Sequence, residues 1–177
     1  SSRLGDIVHS SPIYVGKPQM PWPDEAPFGS STDRYSGFKD GTAKLRTPVV
    51  YVGANDGMLH GFNGTTGELN SGNELIAYVP DLLYSNGLQE GLHYLTDPGY
   101  QHKYYVDQTP VISDVYIKAS TTDPSPAWRT ILVGGLRGGG KGLFALDVTD
   151  PTAFSEANAE DLVLWEFTHP DLGYITS

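Results

Sequence analysis

The run Gly135-Leu-Arg-Gly-Gly-Gly-Lys141 has the spacing of a loop that cradles nucleotide phosphates. That chemistry also needs a hydroxyl after the lysine to hold magnesium, and a helix whose N-terminus faces the phosphate. Position 142 is glycine, and Leu143-Phe-Ala-Leu-Asp-Val148 reads as a strand. The glycines therefore predict a tight turn between two strands. Asp147 and Asp150 are the nearest approach to an acidic cation loop, but no Asp-x-Asp/Asn-x-Asp run closed by a glutamate surrounds them. Their setting, Asp-Val-Thr-Asp-Pro, suits turns closed by local side-chain hydrogen bonds.

Five histidines, His9, His60, His93, His102 and His169, are scattered without the close pairing that a metal site needs. His9 and His60 fall inside strand-like runs and are expected to be packed or to face a central pore. Ser10 and Ser11 precede Pro12 with no nucleophile elbow around them, which favours a structural role. Asn63-Gly-Thr65 fits a glycosylation sequon and fits a hairpin turn equally well. With no cysteine, thiolate zinc sites and cysteine nucleophiles are excluded. No catalytic, cofactor-binding or metal residue is assigned.

One segment suits binding better than catalysis. Residues 17–46 form a long insertion that opens Lys-Pro-Gln-Met-Pro-Trp-Pro-Asp-Glu-Ala-Pro-Phe. Its prolines force extended or turn backbone, so aromatics mounted on it lose little entropy when they meet a partner. Trp22, Phe28 and Tyr35 are the candidate partner-binding residues. The competing reading has the same loop packing down onto a neighbouring unit.

The elements that must position these residues come from a repeat. Thr47-Pro-Val-Val-Tyr-Val-Gly53, a Gly-containing turn, Met58-Leu-His-Gly-Phe-Asn63 and Glu74-Leu-Ile-Ala-Tyr-Val79 are echoed later. The echo is Trp128-Arg-Thr-Ile-Leu-Val-Gly134, a Gly-rich turn, Gly142-Leu-Phe-Ala-Leu-Asp-Val148 and Leu162-Val-Leu-Trp-Glu-Phe-Thr168. Each copy is preceded by an Asp and a Ser/Thr-Pro before another β-rich run, in 4–16 and in 109–118. The copies are offset by roughly 80–100 residues, and four short strands per copy is the pattern of a propeller blade. The expected architecture is all-β, a β-propeller fragment of about two four-stranded blades, at about 4–80 and 106–170, with long loop insertions. A third unit is expected to begin at 171–177. Ser30 to Thr42 reads as loop, a helical turn or two is expected after Asp81 and before Gly87, and one within Asp150–Asp161. Blades bury their faces against neighbours, so this stretch alone is expected to be unstable as a monomer unless its insertions cover those faces.

Composition supports this class. Twenty-one glycines and 13 prolines in 177 residues suit turn-rich β structure. A net charge of -10 repels phosphate backbones and anionic lipid, which argues against nucleic acid or a membrane surface as partner. The same acidity makes calcium a reasonable ion for a longer chain. No apolar stretch approaches the roughly 20 residues of a membrane helix.

Gly5-Asp-Ile-Val-His-Ser-Ser-Pro-Ile-Tyr-Val-Gly16, Tyr51-Val-Gly-Ala-Asn-Asp-Gly-Met-Leu-His60, Ala77-Tyr-Val-Pro80, Val106-Asp-Gln-Thr-Pro110, Trp128-Arg-Thr-Ile-Leu-Val-Gly-Gly-Leu136 and Leu143-Phe-Ala-Leu-Asp-Val-Thr-Asp-Pro151 resemble the propeller domain of the PilY/PilC-type tip adhesins of type IV pili. The resemblance runs in order along most of the chain and is weakest in the two long insertions. It implies a modified, quinoprotein-like propeller in an exported, non-enzymatic protein of the pilus tip, cell surface, periplasm or outer membrane. It implies roles in pilus biogenesis, adhesion and twitching motility, with pilins, minor pilins and a host or surface target as partners. The family's calcium loop matches nothing here, so no metal residue is carried over. The alternative is a fragment of a quinone-cofactor (PQQ-type) dehydrogenase propeller, since Phe62-Asn-Gly-Thr-Thr-Gly67 resembles the blade turns of those enzymes.

Overall fold

In a computed structural model the chain is described over residues 4–121 and 123–174. Among the described residues eight strands form two four-stranded antiparallel sheets. The first has the order β1 (Ile13–Val15), β2 (Val49–Gly53), β3 (Leu59–Asn63), β4 (Glu74–Tyr78). The second repeats that order with β5 (Val111–Ile117), β6 (Ala127–Gly135), β7 (Gly142–Asp147), β8 (Val163–Thr168). Short antiparallel neighbours joined by tight turns are what β-branched runs punctuated by Asn-Asp-Gly and Gly-Gly-Gly dictate. The 171–177 expectation falls on a 3-10 turn at Pro170–Tyr174 and on residues 175–177, outside the described ones.

The two sheets share local features beyond strand order. Register slips once in each, at Gly61/Phe62 on β3 and at Ala145/Leu146 on β7. Both bulges lie two residues after the strand's first leucine, Leu59 and Leu143. Just past them Asn63 and Asp147 close matching turns. Asn63 Oδ1 accepts from Thr65 N and Oγ1, and Asp147 Oδ1 accepts from Thr149 N and Oγ1. The sequon therefore sits in a hairpin turn, and Asp147 in a turn of the kind its neighbours predicted.

Alternation turns one face of each sheet toward the other. Val15, Val49, Tyr51 and Leu59 from the first, with Leu132, Phe144 and Leu146 from the second, form one core closed by Leu83, Tyr105, Val106, Leu136 and Val148. Each fully buried Leu, Val or Phe there contributes about 1.5–3 kcal/mol. The opposite face of the second sheet stays open, with Val111 62%, Phe167 50% and Trp165 43% exposed.

Two expectations are corrected. The run 4–16 is a strand only at Ile13–Val15, directly after Pro12, which has no N–H for a ladder. Residues before it are tied down by side chains instead: Gly5 N donates to Asp56 Oδ2 at 2.8 Å, and Gly53 N donates to Ser10 Oγ at 2.9 Å. The loop expected over Ser30–Thr42 contains the helix α1 (Tyr35–Asp40). A second short helix, α2 (Ala159–Leu162), follows two 3-10 turns at Pro151–Ala153 and Glu156–Asn158, and another 3-10 turn follows Pro80 at Asp81–Leu83.

Candidate partner-binding surface

The three aromatics picked from the sequence converge on the second sheet. Trp22 stacks on Phe28 with ring centroids 5.2 Å apart and planes 11° apart. The Trp22 indole N–H donates to the Asp114 carbonyl at 2.7 Å, on β5. Tyr35 opens α1 and is only 2% exposed. Its ring lies 4.8 Å from that of Trp128 on β6, which Phe38 also stacks against at 6.4 Å. The sequence Tyr-Ser-Gly-Phe-Lys-Asp has little intrinsic helix propensity, so burial of Tyr35 and Phe38 holds this helix. Tyr35 is thus an interior anchor, while Trp22 and Phe28 are half-buried at the surface.

Beneath them is a buried polar network that the sequence did not reveal. Asp114 is 4% exposed and accepts from Tyr35 Oη at 2.7 Å and Thr130 Oγ1 at 2.6 Å. Tyr35 Oη itself accepts from Met20 N at 2.8 Å. Arg46 ends the insertion; its Nη1 donates to Thr130 Oγ1 at 2.7 Å and its Nε to the Gly16 carbonyl at 2.7 Å. A buried carboxylate is tolerated only with donors and a counter-charge, and the insertion supplies both. Burial, and then the bond to Asp114, pushes the Tyr35 phenol above its ordinary value. Burial pulls the Arg46 guanidinium down, against the attraction of Asp114.

The histidines separate by environment. His60 on β3 is 5% exposed, with Nδ1 2.5 Å from Glu74 and Nε2 3.1 Å from Asp56. Burial alone lowers its pKa, but hydrogen bonds to Asp56 and then Glu74 outweigh it and raise the value above the ordinary one. His9 lies outside any strand, correcting its expected place, and pairs through Nδ1 with the buried Asp107 at 2.6 Å. His102 Nε2 is 2.9 Å from Asp6. Among the described residues no three His, Asp or Glu side chains gather to hold a metal ion.

The Gly-rich run is the β6–β7 turn. Arg137–Gly139 forms a 3-10 turn, and a Cβ on Gly139 would lie 2.1 Å from the Tyr105 carbonyl oxygen. Close passage of the Tyr105 backbone, not a phosphate, explains the glycine. The sequence also gave no sign of Glu166. This β8 residue takes hydrogen bonds from the Tyr78 hydroxyl, from Asp81 N at 2.8 Å and from Leu82 N at 3.0 Å, clamping the end of the first sheet to the last strand of the second.

Residues 4–171 match the family model of the PilY1 beta-propeller domain. The type IV pilus biogenesis factor PilY1 of Pseudomonas aeruginosa PAO1 is 46% identical over 180 residues, which covers 98% of this chain and 13% of that protein. A homologue from Xylella fastidiosa Temecula1 is 43% identical over 173 residues, covering 98% of this chain and 12% of its own length. The solved C-terminal domain of Pseudomonas aeruginosa PilY1 superposes with a TM-score of 0.57 at 38% identity, across 88% of this chain and 25% of that one. The chain therefore spans about an eighth of the length of these curated relatives. Among the described residues no helix is long and apolar enough to cross a membrane.

Proposed function

The chain belongs to the PilY1 beta-propeller domain family, and from that premise we propose that its two sheets are adjacent blades of a propeller that serves type IV pilus biogenesis without catalysing a reaction. The observation that carries this reading is the 46% identity, over 98% of the chain, to a protein named as a type IV pilus biogenesis factor. Physical support comes from the repeated sheet and its open face. Val111, Trp165 and Phe167 are the kind of surface a further blade covers, because each blade buries its faces on its neighbours.

In this reading the protein is exported to the pilus tip or cell surface. Its partners are pilins, minor pilins and an adhesion target, and its output is pilus assembly, adhesion and twitching. With Tyr35 buried, the partner-binding loop narrows to the Trp22–Phe28 stack. In the native host, in-frame removal of residues 4–171 should abolish surface pili while the shortened protein is still exported. Pilus numbers equal to wild type would overturn the assembly role, and quinone-dependent substrate oxidation by the intact protein would overturn the non-enzymatic one.

A further inference from the structure

We propose that the outer edge of β4 and the chain around α2 form a docking groove for an extended, basic peptide segment of another protein, taken up by strand addition. The groove encloses about 420 Å³. On one side it is lined by five consecutive residues, Leu75 to Val79. A strand that turns only a face to a cavity lines it with alternate residues, since side chains alternate with period two. Consecutive lining means that the strand presents its edge. β4 pairs with β3 on its other side and is the last strand of its sheet, so this edge has no strand partner among the described residues.

The opposite wall is mainly apolar, Phe154, Ala159, Leu162 and Val163, with Ser155 and Glu156 beside them. An edge strand facing a wall of this kind suits an extended peptide. Main-chain hydrogen bonds to the edge supply affinity, and alternate side chains enter the apolar wall. β4 has five residues, which matches a peptide of similar length at about 3.3 Å per residue.

Charge selects the occupant. Among the described residues Glu156 is the one charged side chain lining the groove, and the exposed Glu160 and Asp161 follow it on α2. A second copy of this chain, with a net charge of -10, would be repelled. A segment with lysine or arginine at alternate positions would be drawn in, with apolar residues between them facing Phe154 and Leu162. The inference does not depend on the pilus reading.

The test uses the intact protein and a fluorescent peptide of sequence Lys-Val-Lys-Ile-Lys-Val. Hydrogen exchange read by mass spectrometry should slow across residues 74–79 on binding. N-methylation of alternate peptide amides, which removes edge hydrogen bonds but keeps the side chains and charge, should weaken binding at least tenfold. Substituting Glu156→Lys with Glu160→Lys, both exposed, should weaken it similarly and leave the melting temperature unchanged. Equal binding by the N-methylated peptide, or slowed exchange elsewhere but not at 74–79, would overturn strand addition. Equal binding by the Glu-Val-Glu-Ile-Glu-Val peptide would overturn the charge selection.

Discussion

Tyr35 donates its phenolic hydrogen to Asp114 at 2.7 Å across 79 positions of sequence, and this bond fastens the long insertion of the first sheet to the inner side of β5 in the second. The insertion is therefore part of how the two sheets are joined. Arg46, at its far end, reaches the same network through Thr130.

Tyr35→Phe should destabilise the intact protein by about 1–3 kcal/mol, because a buried carboxylate oxygen and the Met20 N–H both lose their partner. Denaturant unfolding checks it. Phe28→Ala removes only a half-buried stacking partner and should cost about 0.5–1.5 kcal/mol. A Tyr35→Phe variant as stable as wild type would show that the network does not hold the insertion.

The histidine at the centre of the first sheet makes the N-terminal tether depend on pH. Raised in the folded state, His60 contributes stability that is fully present below its unfolded value, about 6.5, and is lost as pH rises through the folded value. Burial raises Asp56, but its bonds from His60, then Gly5, hold it lower overall. Its contribution is present above the unfolded value, near 3.9, and is lost as pH falls through the folded one. Protection of the amides around Gly5 and β3, corrected for the intrinsic pH dependence of exchange, should thus be greatest between about pH 4 and 6.5. His60→Gln should remove the alkaline arm of that profile and shrink the acid one, and Asp56→Asn should remove the acid arm and shrink the alkaline one, because each group is the first bonded cause of the other's shift.

Much of the sheet order was legible because β-branched runs and Asn55-Asp56-Gly57 are local signals: seven of the eight strands lie close to the expected runs. The eighth, β1, was overextended because hydrogen bonds to the side chains of Asp56, Asp107 and Ser10 hold residues 5–10 in place of a ladder. The helix α1 was missed because its stability comes from Trp128, more than 80 residues away, and not from Tyr-Ser-Gly-Phe-Lys-Asp itself. Trp22 and Phe28 were visible as proline-held aromatics, but which sheet they meet was not. Glu166 and Asp114 gave no signal, since a lone acid in a strand acquires meaning only when the fold brings donors to it.

Glu166→Gln should loosen the clamp between the sheets by about 1–3 kcal/mol, since a charged acceptor for three donors becomes a neutral one. Burial, and then Glu166, keep the Tyr78 phenol well above the ordinary tyrosine value. Burial persists in the variant, so ultraviolet titration should find Tyr78 ionising at lower pH than in wild type but still above the ordinary tyrosine value.

Gly139→Ala should be poorly tolerated, because its Cβ would meet the Tyr105 backbone at 2.1 Å, where no side chain can move aside. Gly67→Ala meets nothing within 4 Å and bears only the conformational cost of its φ of 75°, about 1 kcal/mol. Comparing the two melting temperatures checks whether backbone crowding, not ligand binding, fixes the glycine run.

The most direct test of the account is the structure of the intact protein purified with its pilus assembly. The account predicts that another four-stranded sheet covers Val111, Trp165 and Phe167, with pilin subunits against the propeller. Those side chains left in water, or a quinone seated on the propeller axis, would contradict it.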